Sequence, residues 1–168
     1  MMHRQSRKTT AGLLLIAFWL GLAACEPYLG APGKPDDDTP VVSWSEAIRE
    51  ALAEDSRLGR IRNQATVHQD LASVIGDYAD AMDEIDCAAC PVDFRDALRR
   101  HGRAWRDSIG FFRQFDDLRG EMHLLFDQIR AQGPAARQGL EEAERPIWET
   151  WREVEDVARK YEVEVSGS

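Results

Sequence analysis

An apolar stripe of helical period runs through the middle of the chain and constrains its fold more than any other feature. Apolar side chains recur there at steps of three and four residues, which places them on one face of an α-helix. Ser43 and Glu46 have capping-box spacing, which favours a helix beginning at Trp44. The stripe consists of Ile48, Leu52, Leu58, Ile61, Ala65, His68, Ala72, Ile75, Tyr78, Met82 and Ile85.

Breaks in this periodicity divide the chain into helices. The polar run Glu54-Asp55-Ser56 and Gly59 interrupt the stripe, so we expect one helix over 44–54 and another over 57–86. Pro91 suits the first turn of the next helix. The apolar stripe of that helix is Phe94, Leu98, His101, Trp105, Phe112 and Phe115.

Two further helical segments complete the predicted fold. A polar run ending at Gly120 predicts a kink or restart, and the apolar face then continues to a stop at Gly133-Pro134. A last helical region is expected over about 135–161, where Pro146 starts a fresh helix or kinks the existing one. The pattern predicts an all-α fold: an antiparallel helical bundle of three to four long helices with short connections.

The first residues have the organisation of a secretory signal peptide. Basic residues precede the unbroken apolar run over 11–20, which is shorter than the roughly 20 residues that a bilayer-spanning helix needs. The run ends in Leu22-Ala23-Ala24-Cys25, which resembles the lipobox of bacterial lipoproteins. The resemblance implies cleavage before Cys25, thioether lipidation of its sulfur and acylation of the new amine by a fatty acid such as palmitate. An ordinary signal peptide with a chance cysteine and a single membrane-spanning helix are the alternatives.

The residue after the lipobox cysteine bears on which membrane a lipoprotein is sent to. In lipoproteins of Gram-negative bacteria an aspartate there commonly signals inner-membrane retention, whereas this chain has Glu26. The resemblance therefore implies an outer-membrane lipoprotein that faces the periplasm, held by several acyl chains, which anchor a protein stably.

A segment rich in proline and aspartate separates the predicted anchor from the helices. It contains Pro27, Pro32, Pro35, Pro40 and the run over 36–38, a composition that cannot bury a core. Extended at about 3.1 Å per residue, it reaches on the order of 50 Å. We therefore divide the chain into a signal peptide over 1–24, a lipidated cysteine and flexible tether over 25–42, and a helical domain over 43–168.

Charge limits the partners that this domain can have. The chain has a formal net charge of −9, and removing Arg4, Arg7 and Lys8 with the signal peptide takes it to −12. Nucleic acid and anionic lipid surfaces would repel such a domain. The acyl chains on Cys25 and an envelope protein are the partners that we expect, and nucleic acid is excluded.

Lipidation of Cys25 leaves Cys87 and Cys90 as a pair, which is normally oxidised outside the cytoplasm. Their Cys-x-x-Cys spacing predicts a disulfide at a helix corner, with a redox or regulatory disulfide and a metal site as alternatives. A c-type haem site would need histidine where Pro91 stands.

The histidines do not converge on a metal site. With a hairpin corner at 87–91, His101 lies roughly 18 Å and His68 roughly 30 Å from that corner. Both occupy apolar stripes, where a buried, hydrogen-bonded histidine is expected. We predict no metal and no cofactor.

Two further groups of side chains are candidates for binding. An arginine stripe, which faces Asp77, Asp80, Asp83 and Glu84, either pairs with these acids or binds an anionic partner. We expect Trp44, Trp105 and Trp151 in the core. Trp148 lies beside the stripe of its helix and is either an exposed partner anchor or a half-buried side chain. The arginine stripe consists of Arg95, Arg99, Arg103 and Arg106.

Catalytic signatures such as Gly-x-Ser-x-Gly, a P-loop or a glycine-rich dinucleotide turn do not occur in the sequence. We expect no enzyme and no catalytic residues, but a structural or partner-binding lipoprotein of the cell envelope. The alternatives are a four-helix-bundle carrier of a small ligand, haem or metal, and a thiol–disulfide protein using Cys87 and Cys90.

The predicted anchor is tested by replacing Cys25, whose sulfur would carry the lipid. Cys25→Ser removes the sulfur that would take the lipid, so we expect an unprocessed or unlipidated protein that no longer fractionates with outer membrane. Normal fractionation of this variant would refute the lipoprotein assignment.

Overall fold

The computed structural model describes residues 43–165, which fold into five α-helices and one short 3-10 helix. No strand occurs in this range, so the predicted all-α bundle is confirmed. The predicted signal peptide, Cys25 and the tether lie outside the described residues. The helices are α1 (Trp44–Ala65), α2 (Leu71–Asp83), α3 (Val92–Phe112), α4 (Met122–Ala131) and α5 (Pro134–Lys160), and the 3-10 helix is Arg113–Phe115.

The first helix is longer than the sequence pattern predicts. The Ser43 hydroxyl accepts from the Glu46 N–H at 3.2 Å, which confirms the expected start at Trp44. The helix then continues through 54–59, so the prediction of a break there is wrong. One acidic residue of this run, Asp55, has an interior partner, described below, and does not turn the chain out of the helix.

The first turn of the described chain lies at Thr66–Asp70, so the prediction of one continuous helix over 57–86 is wrong. Thr66 is fully buried, and its carbonyl accepts from the Gly120 N–H at 3.0 Å. The Asp70 carboxylate then caps α2 by accepting from the Ser73 N–H at 2.8 Å. His68 lies in this connection and is exposed, so the prediction that it is buried is wrong.

Helix α3 lies between α2 and α5 and packs along both. Its first turn meets the end of α5, where the Tyr161 hydroxyl donates to Asp93 at 2.9 Å, and Arg100 pairs with Glu153 at 2.7 Å further along. These contacts make α3 and α5 antiparallel. In the described range no helix is long and apolar enough to cross a bilayer.

A second group of contacts closes the far end of the bundle, where α4 and the start of α5 pack on the end of α3. The Phe112 and Phe126 rings stack with centroids 5.5 Å apart. The chain reverses between α4 and α5 at Gly133, whose φ of +130° favours glycine. The stop predicted at Gly133-Pro134 is therefore confirmed.

Pro146 lies inside α5, which continues unbroken from Pro134 to Lys160, so no fresh helix starts there. A proline in this position leaves the carbonyl of Glu142 without its usual helical donor. Both Pro146 and Glu142 are exposed, so water can hydrate this carbonyl.

Gly139 sets the close approach of α5 to α3. A Cβ at this position would lie 2.6 Å from Cε2 of Phe111, whereas a Cβ at Gly110 would meet nothing within 4 Å. We expect Gly139→Ala to be less stable than Gly110→Ala by about 1–3 kcal/mol, because overpacking displaces the ring. Urea unfolding followed by far-UV circular dichroism measures the difference, and equal stabilities would contradict the packing described here.

Candidate functional site

A tier of polar and aromatic side chains crosses the apolar core midway along the bundle. It consists of Asp55, Arg62, Tyr78, His101, Trp105 and Thr150. Its first pair joins α1 to α2: the buried Asp55 carboxylate accepts from the Tyr78 hydroxyl at 2.7 Å. Burial raises the pKa of the Asp55 carboxyl, while the Tyr78 hydrogen bond and the nearby charge of Arg62 oppose that shift. A buried carboxyl with a partner of this kind holds two helices in register.

Arg62 adds a cation to the same tier from the last turns of α1. Its guanidinium carbon lies 4.5 Å from the centroid of the Tyr78 ring and 4.4 Å from that of Trp105. The two rings meet edge to face at 87°, so that both contribute to a cation–π contact with one guanidinium. The contact links α1, α2 and α3.

His101 carries the tier from α3 to α5 through two hydrogen bonds. The Trp105 indole N–H donates to His101 Nε2 at 3.1 Å, which requires the imidazole proton to sit on Nδ1. Nδ1 lies 3.1 Å from the Thr150 hydroxyl and donates to it, and that hydroxyl donates to the Pro146 carbonyl at 2.7 Å. His101 is buried and hydrogen-bonded, as the sequence predicts.

These contacts determine what His101 can do chemically. Burial, and then the positive charge of Arg62, lower its pKa to about 4, so the ring is neutral near pH 7. Both ring nitrogens are engaged, which leaves no lone pair directed at a metal. Among the described residues no group of three or more His, Cys, Asp or Glu side chains is arranged to hold a metal ion.

The sequence analysis missed Asp55, Arg62 and Thr150 as members of this tier. The signal for two of them was present: Ile48, Asp55 and Arg62 are spaced by seven residues, so both charges fall in phase with the buried stripe of α1. A charge in phase with an apolar stripe predicts an internal partner, whereas we took Asp55 as part of a break.

Cys87 and Cys90 lie in the turn between α2 and α3. Both are buried, they are separate thiols in this structure, and a hydrogen bond joins them. Burial raises the pKa of the Cys87 thiol to about 12 and also raises that of Cys90, so neither is a ready nucleophile near pH 7. The disulfide between them stays a prediction.

The arginine stripe of α3 has different surroundings along its length. Arg106 pairs with Asp80 at 2.7 Å and Asp83 at 3.0 Å, across the α2–α3 hairpin as the spacing suggests. Within the described chain Arg95, Arg99 and Arg103 have no carboxylate within 4.0 Å.

A cavity of about 320 Å³ lies beside the stripe. Arg95 and Arg99 line it, and so do Asp83 and Asp86. One of these carboxylates, Asp83, is already paired with Arg106. An anion-binding role for the stripe stays a prediction.

The tryptophans divide between interior and surface. Trp105 is buried and Trp151 is half-buried against His101, with ring centroids 5.2 Å apart. Trp148, which lies beside the α5 stripe, is 51 % exposed, and Trp44 is 60 % exposed. The prediction that Trp44 lies in the core is wrong, because it lies at the open end of α1 and contacts only the edge of the bundle.

Comparison with protein-family models, with curated proteins and with solved structures finds no match. The function of the chain is therefore argued from its own residues.

The tier makes folding stability depend on pH through His101. As pH falls below the ordinary histidine pKa of about 6.5, the unfolded chain binds a proton that the folded chain accepts only near pH 4. We expect the contribution of His101 to fall by about 2 kcal/mol between pH 7 and pH 5.

The measurement is urea unfolding of the wild type and of His101→Gln at both pH values, with the exposed His68→Gln as control. Because Asp55 is present in all three proteins, its own titration largely cancels in the comparison. A wild-type advantage over His101→Gln that grows as pH falls would contradict this account.

Proposed function

We propose that the protein is a lipid-anchored module of the cell envelope, held in the outer membrane through Cys25 and facing the periplasm, that works by binding a partner protein and has no catalytic role. The lipobox and the tether support the anchor. The helical domain supports the binding role, because its polar tier is engaged internally and leaves its surface as the place for recognition.

An exposed tryptophan between two arginines carries this proposal. On α5, Arg145 and Arg152 lie three residues before and four residues after Trp148, so that the three side chains share one helix face. All three residues are exposed, and neither arginine has a carboxylate within 4.0 Å in the described chain. We call these three residues the α5 face.

The composition of the α5 face is that of a binding hot spot. Tryptophan and arginine are enriched among residues whose truncation weakens protein complexes most. The core does not need Trp148, since Leu140, Ile147 and Val154 already form the buried stripe of α5. Two free guanidinium groups beside an apolar ring favour a partner with an acidic segment.

The alternatives have less support. A four-helix-bundle carrier of haem or metal would need a free imidazole inside the bundle, and both nitrogens of the buried His101 are engaged. A thiol–disulfide protein would need a reactive thiolate, and burial raises the pKa of the Cys87 thiol to about 12.

A photo-crosslinking amino acid at position 148 tests the proposal in cells that make the lipidated protein. The control carries the same group at position 60, an exposed site on α1. We expect one discrete envelope protein to be captured from position 148 and not from position 60. Identical capture patterns from both positions would contradict a specific α5 face.

The partner so captured provides the quantitative test. Trp148→Ala should weaken its binding by about 30-fold, the range of a hot-spot residue, while Arg60→Ala leaves it unchanged. Folding stability should change by no more than about 0.5 kcal/mol in either variant, because both side chains are exposed.

A further inference from the structure

The end of the bundle at which the described chain begins presents apolar side chains to solvent. Trp44 is 60 % exposed and Val92 is 62 % exposed. The Trp44 ring meets the half-buried Tyr161 ring edge to face with centroids 5.6 Å apart, and the Tyr161 hydroxyl donates to Asp93, the neighbour of Val92. We call Trp44, Val92 and Tyr161 the tether-end surface, because it brings together the starts of α1 and α3 and the end of α5.

Packing does not account for this surface. Both exposed residues are large and apolar, and each occupies the first position of its helix, where a polar residue would serve equally well. Only Ser43 separates Trp44 from the segment 25–42 that we propose as the tether. This end of the domain is therefore the part closest along the chain to the proposed lipid anchor at Cys25.

We propose that the tether-end surface inserts into the head-group region of the membrane that holds the lipid anchor, with Trp44 as the leading side chain. Tryptophan and tyrosine favour this region, since their rings are apolar and their N–H and O–H groups are polar. This inference rests on the proposed anchoring through Cys25.

Charge decides what kind of lipid the surface meets. Asp93 is engaged by the Tyr161 hydroxyl and lies 3.7 Å from the Lys160 ammonium, whereas Glu162, the chain neighbour of Tyr161, is exposed. Glu46, one turn into α1, stays exposed, and the mature chain carries a net charge of −12 after removal of the signal peptide from the −9 of the whole chain. The surface therefore fits a zwitterionic membrane rather than an anionic one, and apolar contact rather than charge attracts it.

Because the domain is tethered, even a surface as small as this one is enough to hold it at the membrane. A flexible linker of this length gives the tethered domain an effective concentration on the order of millimolar at the membrane. Insertion with a dissociation constant of about 1 mM, too weak to recruit a free domain, would then hold the tether-end surface at the bilayer about half of the time.

The α5 face would remain in the periplasm in this orientation. Trp148 precedes Tyr161 by 13 residues, which is about 20 Å along a helix. A single orientation thus leaves one exposed tryptophan at the membrane and another available to a partner, and Trp148 is a matched control for Trp44.

Quenching of tryptophan fluorescence by lipid tests the inference on the full lipidated protein. The protein is reconstituted in phosphatidylcholine vesicles with and without lipid that carries a nitroxide near the head group. We expect the emission that the nitroxide removes, compared at equal protein concentration, to fall by at least about threefold in Trp44→Phe and to stay unchanged in Trp148→Phe. A second variant, Val92→Glu, retains Trp44 but adds a charge to the surface, and should also reduce the quenching.

Several outcomes would overturn the inference, and vesicle flotation distinguishes them from failure of the anchor. If the protein floats with the vesicles and Trp44→Phe is quenched as strongly as the wild type, the protein is anchored but the tether-end surface does not insert. Loss of quenching in Trp148→Phe instead would place the α5 face at the membrane. Protein that does not float would refute the anchor and this inference together, and crosslinking from position 44 to an envelope protein without quenching would assign the surface to a protein partner.

Discussion

The two hydrogen bonds of His101 fix the position of α3 relative to α5, and the packing of the bundle depends on this position. Trp105 fixes one ring nitrogen and Thr150 the other, so one side chain joins the central helix to α5. The same Trp105 ring receives the guanidinium of Arg62, and Arg62 lies over the ring of Tyr78, the partner of Asp55. Apolar packing alone would let helices slide past one another, whereas these directional contacts permit a single register.

This internal engagement leaves the surface for the partner binding that we propose. Two groups that could serve catalysis or metal binding are buried. The His101 imidazole is hydrogen-bonded at both nitrogens, and burial raises the pKa of the Cys87 thiol, which keeps it protonated. The exposed tryptophans instead lie at separate levels of the bundle, one at the start of α1 and one midway along α5. A protein with a fixed interior and two distinct exposed aromatic positions suits a module that is held at one place and binds at another.

Periodicity predicted the helices well, and its failures have physical causes. The start at Trp44, the stop at Gly133 and the burial of His101 follow from capping, backbone freedom and apolar phase, which are local properties. The continuity of α1 through Asp55 depends on Tyr78, which is 23 residues away and whose position only the tertiary fold determines. Trp44 and His68 share the apolar period, but they lie where helices end, and period alone does not reveal that no neighbour covers them.

Pro146 divides α5 into two segments with different partners. The segment before it packs on α4, where Arg130 pairs with Glu144, and meets only the last turn of α3 at Phe111, while the segment after it contacts the middle of α3 through Thr150 and Glu153. The backbone hydrogen bond that the proline removes lies at the boundary between these two sets of contacts. We therefore expect α5 to open in two cooperative units, the α4 hairpin at lower free energy, and amide hydrogen exchange to be faster before Pro146 than after it.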